Sequence, residues 1–469
     1  MRTTFHLKTL AVAIATFSVA SMTNAAGLDR SGQDVTAFFQ DGTYAEAVYT
    51  YIDADVSGYD SANGVPSSNT YVKGNKVDDI AESYDFFRYG VKTDINDTFS
   101  IGLLYDEPFG AAAEYSGDNN FVSKGDLDAI QTELTGIPGG VAGVNARISE
   151  LQTAAVNTPP GPQQDEIIAG ITSLRTAQAL ADIQANDAGE NTNVEVRSES
   201  LTGILGIKFG ANKNFQVYGG PVAQRIQATT QLRGTAYGPA TGYTSNSNPD
   251  MDYGYIAGIA YSKPEIALKA ALTYRSEIDH DIEISETYPV AGVLAANPAA
   301  ATRVSNYEIT TPKSVNFDFQ TGINSTTLAT AKVRWVPWSD FVITPPLYNE
   351  VSTNAARPNG LNLVEYDDDQ WQVELGLAKR VAPALAISGT VGWDSGAGDP
   401  TTSLGPVDGY YSVGLGAKYN VTENWAISAG GKYLWFGDAQ GQLPTGKIVG
   451  DFQDNDGYIA GLKLSYQAK

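Results

Sequence analysis

Apolar and polar side chains alternate one for one along the C-terminal third of the chain. Trp371, Val373, Leu375 and Leu377 share one face, and Gln372, Glu374 and Gly376 the other. After a turn at Val381-Ala382-Pro383-Ala384, Leu385, Ile387, Val391 and Trp393 oppose Ala386, Ser388, Thr390 and Asp394. Tyr411, Val413, Leu415, Ala417 and Tyr419 continue the pattern. So do Trp425, Ile427, Ala429, Tyr433 and Trp435 beyond the turn at Asn420 to Asn424, and Tyr458, Ala460, Leu462, Leu464 and Tyr466 at the end. Successive side chains of a strand point to opposite faces, so each run is a strand with one face toward an apolar medium and one toward a polar medium. A soluble sandwich alternates too. Here, however, the runs reach about ten residues, the length a tilted strand needs to cross a bilayer. Aromatics stand near the run ends, as an interfacial girdle requires. Tight turns also alternate with long loops such as 395–409 and 438–456.

The same grammar extends backwards. Tyr253, Tyr255, Ala257, Ile259 and Tyr261 share a face, and a turn at Ser262 to Glu265 leads to Ile266, Leu268, Ala270, Leu272 and Tyr274. Residues 314–323 and 328–343 form a hairpin around Ser325-Thr326, and 193–209 pairs with 215–233; further runs lie near 45–57, 80–93 and 98–116. The count is about fourteen, an even number as in single-chain bacterial barrels. The predicted fold is all-β, a transmembrane antiparallel β-barrel over 45–469.

Two segments break the alternation. Within 122–187, Leu127, Ile130 and Leu134 space as one helix face, as do Val141, Val144, Ile148 and Leu151, and Ile167, Ile171 and Leu174. Pro138-Gly139-Gly140 and Pro159-Pro160-Gly161-Pro162 separate the three. The block leaves one long strand and returns to another, which predicts a helical extracellular loop insertion. Residues 26–44 are too short for a domain, and a plug inside the lumen is their natural place.

The N-terminus changes the picture of compartment. Arg2 and Lys8 precede the apolar stretch Leu10 to Val19, and Thr23-Asn24-Ala25 supplies small residues for cleavage, so 1–25 reads as a secretory signal peptide. Its removal takes the net charge from −23 to about −25. That charge argues against nucleic acid as a partner and against docking on anionic lipid through a basic patch. The absence of cysteine excludes thiolate metal sites and cysteine catalysis. No apolar run after residue 25 is long enough for a membrane helix, and the mean hydropathy of −0.20 does not count against a barrel, whose apolar residues are dispersed by alternation.

Four further stretches carry a resemblance: Leu28-Asp29-Arg30-Ser31-Gly32-Gln33, Tyr105-Asp106-Glu107-Pro108-Phe109-Gly110-Ala111, Leu272-Thr273-Tyr274-Arg275-Ser276-Glu277-Ile278, and Val333-Arg334-Trp335-Val336-Pro337-Trp338-Ser339-Asp340-Phe341. In order and spacing along nearly the whole mature chain, they resemble the FadL/TodX-type outer-membrane transporters of long-chain fatty acids and aromatic hydrocarbons. The resemblance implies a fourteen-stranded barrel of the Gram-negative outer membrane with an N-terminal hatch and no cofactor. It implies capture of a hydrophobic molecule on outer loops, a pocket in the lumen, and lateral exit at a kinked third strand, where Pro108, Phe109 and Gly110 stand. Outer-membrane lipid, lipopolysaccharide and the barrel-assembly machinery are the implied macromolecular surroundings. Asp41-Gly42-Thr43-Tyr44 stands near the place where many members carry Asn-Pro-Ala in the hatch, and the chain ends on Tyr466-Gln467-Ala468-Lys469 rather than on an aromatic.

Lys269, Arg275, Lys332 and Arg334 share lumen-facing parity. A fatty acid carboxylate needs a cation in a partly dry pocket, and the same cations would also be expected to pair with lumen carboxylates such as Glu277 or Glu374. Phe38 and Phe39 would cover a substrate tail or pack the plug. The acidic loop runs Asp367-Asp368-Asp369 and Asp454-Asn455-Asp456 lack a complete calcium-loop spacing. His280, between Asp279 and Asp281, falls past the membrane band, is expected on a surface loop, and has no serine motif beside it, so the chain reads as no enzyme. Two other classes stay open: a general porin for small polar solutes, separable by ion conductance, and a surface adhesin or receptor displaying 122–187.

Overall fold

The computed structural model describes residues 28–63 and 69–468, and the signal segment read at 1–25 lies outside them. Fourteen antiparallel strands close into one barrel. Closure is visible in the first strand, Thr43–Asp55, which pairs on one side with the last, Asp456–Ala468, and on the other with the second, Tyr84–Asp94. A closed ladder leaves no free edge, so most backbone groups at membrane depth find their partners within the sheet.

The alternation read in the sequence maps onto the two faces. Trp371, Leu375, Leu377, Ile387, Tyr411, Leu415, Trp425 and Tyr458 all point outward and stay exposed, Leu415 at 75%. Lys269, Arg275, Lys332 and Arg334 point inward, as their parity predicts.

Some strands are interrupted. The third consists of Phe99–Asp106 and Gly110–Glu114, the sixth of Thr244–Ser247 and Asp250–Lys263, the seventh of Leu268–Arg275 and Ile278–Thr287, and the eighth of Thr302–Thr311 and Ser314–Asn324. The ninth, Thr327–Val336, ends earlier than the run 328–343 suggests. Pro337 has no N–H to continue the ladder, and Trp338 turns inside, fully buried, with Nε1 donating to Gln370 Oε1 at 2.9 Å. His280 is a correction to the loop expectation: it sits in the seventh strand and is fully buried on the lumen side.

The long loops do more than connect. Pieces of 395–409 and 438–456 join Gly58–Ser61 and Lys73–Val77 in a separate five-stranded sheet. Backbone groups that loops bury against one another need partners, and a small sheet supplies them. The block between the third and fourth strands is helical at Leu127–Thr135, Gly140–Asn157 and Pro162–Asn186. Asp126 caps the first helix by accepting from the Ala129 N–H at 3.1 Å, and Gly136 ends it in the left-handed conformation that glycine adopts most easily. Val144, Ile148 and Ile171 bury one another together with Leu151, Ile167 and Leu174, so the faces read from the sequence pack mainly on each other.

Candidate functional site

Residues 28–41 lie inside the barrel and are tied to its wall by charge. Arg334 grips Asp29 with two parallel bonds, Nε to Oδ2 at 2.6 Å and Nη2 to Oδ1 at 2.8 Å, and both side chains are buried. Such fork-to-fork pairing is among the strongest side-chain contacts available. Lys332 Nζ reaches Asp34 Oδ2 at 2.8 Å, and Arg88 lies 3.5 Å from the same oxygen. Burial opposes ionisation of Asp34, but Lys332 and Arg88 outweigh it and hold its carboxyl well below the usual carboxylate range. Lys269 donates to the Phe39 carbonyl, and Arg275 donates to Thr202 Oγ1 at 3.1 Å. Three of the four cations named from parity therefore bind the plug itself. Lys332 also lies 3.8 Å from Asp318, a lumen carboxylate of the eighth strand, whereas Glu277 and Glu374 pair with Lys313 and Lys432.

Phe38 and Phe39 seat the far end of the plug. Phe38 packs on Tyr218 with ring centres 5.7 Å apart, and Phe39 meets the same ring at 5.2 Å. A Cβ on Gly102 would stand 2.7 Å from Phe38, and one on Gly206 2.8 Å, so these strand glycines make room for the ring.

At its other end the plug meets the broken third strand. The Arg30 N–H donates to the Pro108 carbonyl at 2.8 Å, and the Gly110 N–H donates to the Leu28 carbonyl at 2.8 Å. Ser198 Oγ accepts from the Phe109 N–H at 2.7 Å. The kink thus turns backbone groups away from the barrel ladder and toward the plug. The second and third strands pair from Asp94↔Ser100 to Tyr89↔Tyr105 and meet again at the isolated bridge Ala81↔Ala113. Between these points Tyr84 to Arg88 have no ladder partner in the third strand. The Arg30 guanidinium fills this gap in the wall. It lies over the Tyr84 ring, 4.1 Å from its centre, and 3.7 Å from Glu107 Oε2. A side chain on Gly110 would collide with that guanidinium.

Beside the gap is an apolar cavity. Ala111 and Ala113 of the third strand, Val194 and Val196 of the fourth, Ala228 of the fifth and Ile284 of the seventh form its wall. Leu28 of the plug reaches it, and loop residues Ile343, Leu363, Val364, Leu404 and Val407 cover it from inside. Among the described residues no charged side chain lines it. Apolar walls with a few hydroxyls suit a small hydrophobic molecule.

None of Phe38, Phe39, Lys269, Arg275, Lys332 and Arg334 lines this cavity. Phe38, Phe39 and Lys269 border a more polar space at the opposite end, with Asp94, Lys208 and Asn214. Pro108, Phe109 and Gly110 do stand at the strand break, next to the cavity's Ala111. The lining residues were not singled out from the sequence. The run Ala111-Ala112-Ala113, small side chains directly after the kink, was the available signal.

A family model described as outer membrane protein transport protein (OMPP1/FadL/TodX) matches residues 169–467, well over half of the chain. No curated protein matches the sequence. Among solved structures, a Pseudomonas aeruginosa FadL homologue superposes with a TM-score of 0.60 at 14% identity, covering 92% of this chain and 91% of its own. The Ralstonia pickettii toluene transporter TbuX gives 0.52 at 10% identity, covering 95% of each chain. The P. putida toluene transporter TodX gives 0.51 at 11%, covering 92% and 91%. At these identities the likeness is one of fold.

Proposed function

Because the chain belongs to the OMPP1/FadL/TodX family of outer-membrane transport proteins, we propose that the hydrophobic molecule it carries enters the apolar cavity and leaves sideways, between the second and third strands, into the membrane. The coarse activity follows from the family: a channel-type transporter, not an enzyme, passing hydrophobic compounds across the Gram-negative outer membrane. The observation that carries the finer reading is the uncharged cavity opening beside the gap that Arg30 stops.

The same lining bears on the substrate. A long-chain fatty acid fits by its acyl tail, but its carboxylate would meet no cation in the cavity, and an unpaired buried charge is costly. The four lumen cations considered for that role lie outside the lining. An uncharged hydrocarbon fits without that cost. The expectation is therefore that the purified barrel binds a fluorescent hydrophobic probe saturably, and that toluene or an alkane displaces it at least as well as a long-chain acid. Displacement by the long-chain acid alone would reverse the substrate preference. Absence of saturable binding by a folded barrel would refute the cavity as a binding site.

Arg30 gives a second prediction. A desolvated cation–π contact is worth about 2 kcal/mol, and removing a barrier of that size speeds a step by roughly tenfold or more. Arg30→Ala should raise the rate at which bound probe passes into lipid, with probe affinity unchanged, in stopped-flow transfer from proteoliposomes. An unchanged rate would remove Arg30 from the exit.

A further inference from the structure

Where the sixth and seventh strands run side by side, their ladder lapses. Register holds from Ile256↔Arg275 toward the short turn and from Ser247↔Ile284 toward the loops. Between them come single bonds, the Asn248 N–H to the Glu283 carbonyl and the Ser276 N–H to the Tyr255 carbonyl. Three side chains converge on this lapse. Asp250 and Asp252, two residues apart and on the lumen face of one strand, meet His280 of the other, with ligand atoms within 4.8 Å of one another. The outward neighbours Asp279, Asp281 and Glu283 are exposed and charged, which puts the group beyond the apolar band, toward water.

The imidazole is oriented from behind. Its Nε2 faces Gln224 Oε1 at 3.2 Å, and that carbonyl is held by the Thr311 hydroxyl at 2.7 Å. An oxygen acceptor there selects the tautomer with hydrogen on Nε2. The Nδ1 lone pair is then aimed at Asp250 Oδ2, 3.2 Å away. A lone pair facing a carboxylate oxygen repels it unless a proton or a metal cation lies between. Asp252 adds a second carboxylate, which makes no hydrogen bond or ion pair with a described residue. Ligand atoms held by a tetrahedral zinc at ~2.0–2.2 Å stand about 3.3–3.5 Å apart, close to the 3.2 Å between Nδ1 and Asp250 Oδ2, and all three groups lie within 4.8 Å of one another. A ligating histidine typically donates its other N–H to an oxygen, which is the part Gln224 plays.

We propose that Asp250, Asp252 and His280 bind a divalent transition-metal ion, of which Zn²⁺ is the best fit, through two carboxylate oxygens and Nδ1, with water completing the shell. The ion staples the sixth strand to the seventh where the backbone ladder does not. The site is separate from the apolar cavity and does not depend on the identity of the transported molecule.

The test uses the mature barrel, purified in detergent without a polyhistidine tag, stripped with chelator and dialysed against ZnCl₂. The expected result is one saturable zinc per chain. Asp252→Asn, a near-isosteric change at a half-buried position, and His280→Ala should each weaken binding tenfold or more. Gln224→Leu should weaken it by roughly 10–100-fold. Heat-modifiable migration on gels reports that each variant is a folded barrel. Failure of the parent protein to take up stoichiometric zinc, or zinc binding by folded Asp252→Asn equal to the parent's, overturns the proposal.

Discussion

Arg334→Ala is expected to turn a closed barrel into an ion-conducting one. Arg334 is the wall's two-bonded grip on Asp29, and Asp29 is fully buried. Removing one member of a buried pair leaves the other charge uncompensated and costs roughly 3–5 kcal/mol. The barrel ladder does not run through this pair, so the cost falls on docking of the plug, whose equilibrium should shift by about a hundredfold or more. Planar-bilayer recordings should show steady current for Arg334→Ala and little for the parent protein. Asp29→Asn combined with Arg334→Ala should lie between them, because no bare carboxylate remains to be expelled. A folded Arg334→Ala barrel that stays closed would mean that the remaining contacts, chiefly Lys332 to Asp34, hold the plug alone.

Ala228→Trp carries the second large effect. Ala228 is half-buried in the wall of the apolar cavity, facing Val196 across the fourth and fifth strands. A large ring placed there occupies the space a ligand needs. Overpacking costs about 1–3 kcal/mol where no room exists, but here the cavity receives the ring, so the barrel should still fold. Affinity for a hydrophobic probe should drop by at least about tenfold, equivalent to about 1.4 kcal/mol, with conductance still closed. Probe binding at parental affinity would place the ligand elsewhere, with the polar space beside Lys269 the first place to look. The two substitutions separate the plug from the pocket: one changes current, the other binding.

Much of the wall was legible because a barrel strand is a local object. Period-two alternation placed Trp371, Leu415 and Tyr458 on the outer face and Lys269 and Arg334 on the inner one, and both assignments hold. The ordered resemblance pointed to the break at Pro108 to Gly110, where proline and glycine weaken a ladder whatever surrounds them. Other features escaped. The residues proposed to meet a carboxylate point into the lumen, but parity does not say which partner waits there. Asp29 and Asp34 lie some three hundred positions from Arg334 and Lys332. His280 is expected on a loop because it falls past the membrane band, yet the seventh strand runs on beyond that band and only its outward neighbours are wet. The sheet made from loop pieces has no periodic signal, since its strands are two to five residues long.

By itself the sequence determined the architecture, the facing of each strand and the presence of a plug-sized segment before the barrel, because these follow from alternation, run length and turn chemistry within a dozen residues. The tertiary structure alone decided which cations hold the plug, where the wall is left open, which side chain stops the gap and which surfaces enclose the cavity. Those depend on Coulombic and packing contacts between segments that closure of the sheet brings together, and such contacts leave no local pattern along the chain.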